Sequence, residues 1–275
     1  MTTNTQAALD PRAAATNVRS FYARVSALGF GLIALAGLVG LVFGLLNGSA
    51  GDSAGFAIVF MAVGLLVAGA VWRFGRWAFI LAALLSFALL GLLVPFSLFS
   101  LSHPESANDF IPIVLALAGA CLGFVGAIVG IVQWRRKTVR AEGTSAERLA
   151  VGGVLGVLAV ATLLSIVLSL TSHTVVSAAA RAGATSVQIK SFTFTPGSLL
   201  VSPGGTVRLV VKNDDTTLHT FTLPQAGVDV SVPPGSEKVI EFMAPAAGSY
   251  QWFCIPHSSV NGATREGMVG TLTVQ

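Results

Sequence analysis

Five long apolar runs, at about 26–46, 55–72, 77–99, 110–134 and 149–170, fill most of the first 170 residues. Each is close to the ~20 residues a helix needs to cross ~30 Å of hydrocarbon. None carries an Asp, Glu, Lys or Arg in its middle. The pattern predicts five membrane-spanning helices. Near residue 185 the period changes to two, with Val187-Gln-Ile189-Lys, Phe192-Thr-Phe194-Thr, Val207-Arg-Leu-Val-Val211, Leu218-His-Thr-Phe-Thr-Leu223, Lys238-Val-Ile-Glu-Phe242, Tyr250-Gln-Trp-Phe253 and Gly270-Thr-Leu-Thr-Val274. Turn signals separate them: Ser202-Pro-Gly-Gly205, Asn213-Asp-Asp215, Pro233-Pro-Gly235 and Pro245-Ala-Ala-Gly248. Short strands at such spacing predict a β-sandwich or barrel. The fold class is therefore α + β in two parts, a five-helix transmembrane bundle at 26–170 and a β-sandwich at 185–275. A polar tail, 1–25, precedes them, and a linker, 171–184, joins them.

Charge orients this arrangement. Only 10% of the chain is charged, against ~25% in an ordinary soluble domain. Ten of the sixteen Lys and Arg lie in the tail, in the Trp72-Arg73-Phe74-Gly75-Arg76-Trp77 turn and in the stretch from Arg135 to Arg148. The 47–54 and 100–109 connections hold none, only Asp52, Glu105 and Asp109. The positive-inside rule then puts the N-terminus in the cytoplasm and the end of the fifth span outside. The first run exceeds a signal-peptide core and reads as an uncleaved anchor, although Gly48-Ser49-Ala50 leaves cleavage open. Trp72, Trp77 and Trp134 fall at the expected interfaces. Gly40/Gly44, Gly119/Gly123, Gly126/Gly130 and Gly152/Gly156 have the spacing that lets helices approach closely. No basic, aromatic-interleaved face points to nucleic acid. With no ionisable group inside the spans, they read as an anchor and platform rather than an ion path.

The candidate chemistry is gathered near the C-terminus. Cys254 and His257 stand three apart across Ile255-Pro256, Met268 follows in Gly-Met-Val-Gly, and His219 lies on an earlier strand edge. A thiolate, two imidazoles and a weak thioether form the ligand set of a blue-copper site. Individually His219 reads equally as a core histidine and Met268 as core filler; it is the four together, on a strand pattern, that point to metal. Cys121, the other cysteine, sits in an apolar run, where Cys acts as a small hydrophobe. His103 and His173, near span ends, read as interfacial residues rather than a second metal pair. Asp214-Asp215, Glu237 and Glu241 read as ordinary turn and strand surface.

Phe192-x-Phe194-x-Pro196, Val201-x-x-Gly204, Val207, Asn213-x-Asp215, His219-Thr-Phe and Tyr250-x-x-x-Cys254-x-x-His257, ending in Gly267-Met268-x-Gly270-Thr-Leu, resemble the cupredoxin family of plastocyanin and azurin relatives. The resemblance covers about 185–275 and implies a Greek-key sandwich binding one copper ion. His219, Cys254 and His257 are then the in-plane ligands and Met268 the axial one. It further implies that the His257 edge is the electron port and that the Thr220 N–H donates to the sulfur. One departure stands out. Ten residues separate His257 from Met268 where plastocyanin-like loops are shorter, and this segment is expected to fold out as a lid or docking surface, with Arg265 and Glu266 as candidates.

The expected function is a multi-pass membrane protein carrying single electrons at the outer face of the membrane, with no catalytic residues and no small-molecule substrate. Its expected partners are the lipid bilayer and redox proteins at that face. Two other readings remain open, an accessory or donor subunit of a respiratory oxidase or reductase, and a copper delivery protein. A dinuclear copper centre is disfavoured because no second Cys stands near Cys254, and delivery because the chain has only four Met.

Overall fold

The computed structural model describes residues 20–46, 50–74 and 76–275. Most of the N-terminal tail and the small-residue stretch at 48–49 lie outside them. Five long helices come first: α1 (Phe21–Leu46), α2 (Ala50–Phe74), α3 (Arg76–Leu101), α4 (Ala107–Arg135) and α5 (Ser145–Thr171). A short helix, α6 (Ala178–Arg181), precedes nine strands. All five long helices are long and apolar enough to cross a membrane. The first starts at Phe21 rather than near 26, because Ser20 caps it: its side-chain oxygen accepts from the Ala23 N–H, 3.1 Å away.

The chain divides into two compact units. The first holds residues through Leu38, Ile58–Pro95 and Leu115–Leu158. Its centre is a cluster around Phe30, Ile33, Val71, Phe79, Ala82, Ala120 and Ala127. Here the glycine spacing acts as expected. A Cβ on Gly119 would lie 2.5 Å from the Gly29 carbonyl oxygen, and one on Gly126 would lie 2.6 Å from the Ser26 nitrogen. The Ser26 hydroxyl donates to the Gly123 carbonyl at 3.2 Å, so a polar group is satisfied inside the contact. By contrast, a Cβ on Gly40, Gly152 or Gly156 would meet nothing within 4 Å, so spacing at those positions does not mark a contact.

The second unit holds Val39–Ala57, Phe96–Val114 and Ala159–Gln275. Its strands are β1 (Thr185–Lys190), β2 (Thr193–Thr195), β3 (Ser198–Val201), β4 (Thr206–Asn213), β5 (His219–Leu223), β6 (Val228–Val232), β7 (Glu237–Met243), β8 (Gly248–Asn261) and β9 (Thr264–Val274). They form a four-stranded sheet in the order β2-β1-β4-β7 and a five-stranded sheet in the order β3-β9-β8-β5-β6. Pairings are antiparallel except β1 with β4 and β3 with β9. Both sheets send alternate side chains into one core: Val187, Ile189, Leu209, Val211 and Ile240 from one, Phe221, Leu223, Trp252 and Leu272 from the other. Three aromatics organise it. Phe221 stacks on Trp252 with centroids 5.6 Å apart, and Phe194 meets both rings edge-on.

The segment between α5 and β1 is no free linker. The Glu237 N–H donates to the Thr174 carbonyl at 2.8 Å, and the Thr174 hydroxyl donates to the Glu237 carbonyl at 2.9 Å. The Glu237 carboxylate accepts from the Val176 N–H at 3.0 Å and pairs with Arg181. Glu237 is only 6% exposed, so the expectation that it lies on ordinary strand surface is corrected. The Arg181 hydrogen bond outweighs burial and holds its carboxyl below the usual range. The anchor is thus complete at neutral pH and weakens as acid protonates Glu237. Glu237→Ala leaves the Val176 N–H without its acceptor and takes one of two acceptors from Arg181, a loss of ~1–3 kcal/mol. Proteolysis within 172–184 should then run about tenfold faster; unchanged cleavage would mean that the carboxylate does not hold the segment.

Candidate metal centre

His219 opens β5 and is fully buried. Its Nε2 lies 2.9 Å from Asp215 Oδ2. That carboxylate fixes a proton on Nε2 and turns the Nδ1 lone pair toward Cys254. Asp215 also accepts from the Ser191 N–H at 2.6 Å and the Phe192 N–H at 3.0 Å. Ser191 and Phe192 form the two-residue turn between β1 and β2, both with positive φ, 51° and 59°. Such a turn normally draws Asn and Gly, and non-glycine residues there carry strain. Here the carboxylate holds it, and the result is that the Phe192 ring stands edge-on to both histidines, centroids 5.4 Å from His219 and 4.8 Å from His257. Asp215 is therefore part of the site rather than turn surface.

The other two ligand candidates come from an irregularity in β8. Phe253 pairs with Val269 and Ser258 with Gly267, so the four residues Cys254, Ile255, Pro256 and His257 face the single residue Met268. The extra residues form a bulge, and the bulge carries both side chains. The Ile255 N–H donates to the Thr220 hydroxyl at 2.8 Å, and the Ser258 hydroxyl donates to the Cys254 carbonyl at 2.7 Å. Pro256 has no N–H to satisfy. Gly267, at φ 94°, lets β9 return beside His257, where a Cβ would lie 2.7 Å from the His257 carbonyl oxygen. The expectation of a lid is corrected here. Beyond the bulge, 258–261 pairs with 264–267 as a continuous hairpin turning at Gly262, φ 60°. Arg265 is tied into it, its guanidinium 3.8 Å over the Phe253 ring and donating to the Ser258 hydroxyl.

His219, Cys254 and His257 converge as a group able to hold a metal ion. Cys254 Sγ is 3.6 Å from His219 Nδ1 and 3.2 Å from His257 Nδ1, and the two nitrogens are 3.1 Å apart. A point equidistant from three atoms so spaced lies about 1.9 Å from each, close to the ~2.0–2.3 Å of metal bonds to imidazole nitrogen and thiolate sulfur. The donor set and its spacing therefore fit a metal. Met268, 3% exposed, belongs to the same core cluster as Cys254. The Thr220 N–H donates to Cys254 Sγ at 3.3 Å, as the resemblance implied. Burial pushes the Cys254 thiol up. Burial, and then the neighbouring His219, bring His257 down to about 4. Burial acts to raise Asp215, but its hydrogen bonds from His219, Phe192 and Ser191 outweigh it and bring the carboxyl to about 2.

His103 and His173 are not brought together. The His103 Nε2 lies 3.2 Å from the Ser231 hydroxyl, and His173 Nδ1 lies 3.1 Å from the Pro234 carbonyl oxygen. Among the described residues the His–Cys–His group is the one potential metal cluster. Asp215→Ala is expected to weaken metal binding by about 10–100-fold, the usual effect of removing such a carboxylate. Competition of Cu(II) between the protein and a chelator measures it; affinity equal to wild type would remove Asp215 from the site.

A cupredoxin-like domain description matches residues 158–264, which include His219, Cys254 and His257. No curated protein sequence matches the chain significantly. Among solved structures, auracyanin A of Chloroflexus aurantiacus is similar at 22% identity and TM-score 0.27, covering 33% of this chain and 96% of that one. An oxidised point mutant of amicyanin is similar at 23% and 0.27, covering 38% and 94%. The copper-containing nitrite reductase of Thermus scotoductus is similar at 21% and 0.27, covering 33% of this chain and 27% of that one.

Proposed function

Taking as premise that this chain carries a cupredoxin-like domain C-terminal to five apolar helices, we propose that it is a membrane-anchored type 1 copper protein. It carries single electrons at the outer face of the membrane and is not an enzyme in its own right. The observation that carries the reading is the convergence of Cys254 Sγ with the Nδ1 atoms of His219 and His257, all within 4.8 Å of one another. Three strong donors of this kind, opposite a thioether-bearing strand position, suit copper. The two sheets are read as a Greek-key sandwich, and His219, Cys254 and His257, together with Met268 from the facing strand, would hold the copper.

Bound copper supplies the one-electron couple between Cu(I) and Cu(II). The chain's own residues keep the ligands still. Asp215 orients His219, and the Thr220 N–H draws charge from the sulfur. The hydrogen-bonded bulge fixes the spacing of Cys254 and His257. A site that does not move when its charge changes has little to reorganise, which is what fast electron transfer requires. The asymmetry of Lys and Arg among the connections supports a cytoplasmic N-terminus and an extracytoplasmic copper domain.

The test is the full-length protein in detergent, loaded with Cu(II) and examined by visible absorption, EPR and potentiometric titration. The expected result is an intense thiolate band, a narrow copper hyperfine splitting and reversible one-electron cycling. A colourless protein that holds only Zn(II) or Cu(I) would overturn the reading.

A further inference from the structure

The edge of His257 does not face open solvent alone. Within the second unit it helps to line a cleft of about 460 Å³, whose other walls come from the ends of α1, α3 and α4 and from the 214–217 loop. Small-molecule sites span roughly 300–1,000 Å³, so the volume suits one aromatic ring and the start of a tail. Phe43, Pro112, Ile113 and Phe192 give the cleft apolar faces. Its polar wall is rich in acceptors. Asp109, at the start of α4, takes hydrogen bonds from the Thr217 hydroxyl and the Leu218 N–H and still faces the cleft. Pro112 has no N–H to give to the Asn108 carbonyl four residues back. Lys212 lies 2.7 Å from Asp214, while Asp215 and Asp109 are held by neutral N–H and O–H donors. Oxygens already arranged to accept from N–H and O–H groups offer their remaining lone pairs to hydroxyl donors.

We propose that this cleft takes the head group of a lipid-dissolved hydroquinone, its ring between Phe192 and the α4 wall and against the His257 edge. The inference deepens the reading above and rests on it, since a cleft floored by the outer ends of membrane helices is reached from the bilayer. It also gives three of the helices, α1, α3 and α4, a task beyond anchoring: they build part of the donor site. The stoichiometry is one hydroquinone and two Cu(II) proteins, giving one quinone, two Cu(I) proteins and two protons released to water.

The test uses the full-length protein in detergent micelles, first without metal. It is titrated with a decyl-substituted 1,4-benzoquinol under nitrogen and followed by calorimetry. Saturable binding is expected, at least tenfold weaker in Ile113→Trp and in Gly40→Trp, which fill the cleft from two different helices. A Cβ on Gly40 meets nothing within 4 Å, so the backbone there accepts a side chain without a clash at its first atom, and circular dichroism checks that each variant is folded. Heat no greater than for empty micelles, or affinity in both variants equal to that of the wild type, overturns the proposal. The Cu(II) protein separates the two levels of the argument. A missing thiolate band sinks the copper reading, while the metal-free titration still decides the cleft. A normal band without quinol binding sinks the cleft assignment alone.

Discussion

Cys254→Ser is expected to abolish the intense visible band of the Cu(II) protein completely and to cut copper affinity by more than a hundredfold. The band arises from charge moving from thiolate sulfur to Cu(II), and serine has no counterpart at accessible pH. A hydroxyl is also a hard, protonated donor, poorly suited to Cu(I). The fold should survive, because Cys254 contributes one small side chain to a core of eighteen buried residues and Ser differs from it by one atom. The Thr220 N–H and the Ser258 bond to the residue 254 carbonyl both remain available. Visible absorption and EPR of wild type and variant, beside circular dichroism, separate loss of the site from loss of the domain. A variant that keeps the band would show that sulfur is not a ligand.

Gly270→Ala is expected to destabilise the β domain by at least ~3 kcal/mol, the upper end of what overpacking costs. A Cβ there would lie 2.2–2.4 Å from Cε2, Cζ2 and Nε1 of Trp252. The indole cannot yield, since it is fully buried, stacked on Phe221 and met edge-on by Phe194. For a domain of this size the melting temperature should fall by roughly 12–25 °C. Thermal melts read by near-UV circular dichroism check the size of the effect. Gly270→Ala combined with Trp252→Leu should recover part of the loss, because the clash disappears with the ring. A single substitution that leaves the melting temperature unchanged would mean that the strand moves aside freely.

Much of this architecture was legible in the residues because its signals are local. Twenty apolar residues without a charge and an alternation of period two are properties of short windows, and they placed five helices and most of the strands; β6 (Val228–Val232) was missed. The trio His219, Cys254 and His257 could be singled out because thiol and imidazole in that order are rare and chemically specific, and the structure brings their donor atoms together. Asp215 was not, because its role depends on Ser191 and Phe192, over twenty residues earlier, turning with positive φ beneath it. A carboxylate four residues before a ligand histidine was the available hint, and it is a weak one. The 258–267 hairpin left a better clue, since Gly262-Ala263 between short polar–apolar stretches fits a two-residue hairpin loop with Gly first. It was masked by reading the segment as loop between two ligands. The anchoring of 173–181 through Glu237 had no sequence signature at all, because an acidic residue in a strand looks the same whether it faces water or an arginine.

The bulge that sets four residues against Met268 has one more consequence, for how this site can change over time. It separates the segment that fixes ligand spacing from the hairpin tip beyond it. Residues 259–266 form ladder pairs only with one another, while Ser258 and Gly267 stay with the bulge, so this tip can gain or lose residues two at a time without altering which faces point inward. The metal geometry and the shape presented beside it are therefore independently variable. A lineage could exchange the outer tip to meet a new partner while the His219, Cys254 and His257 group is inherited intact.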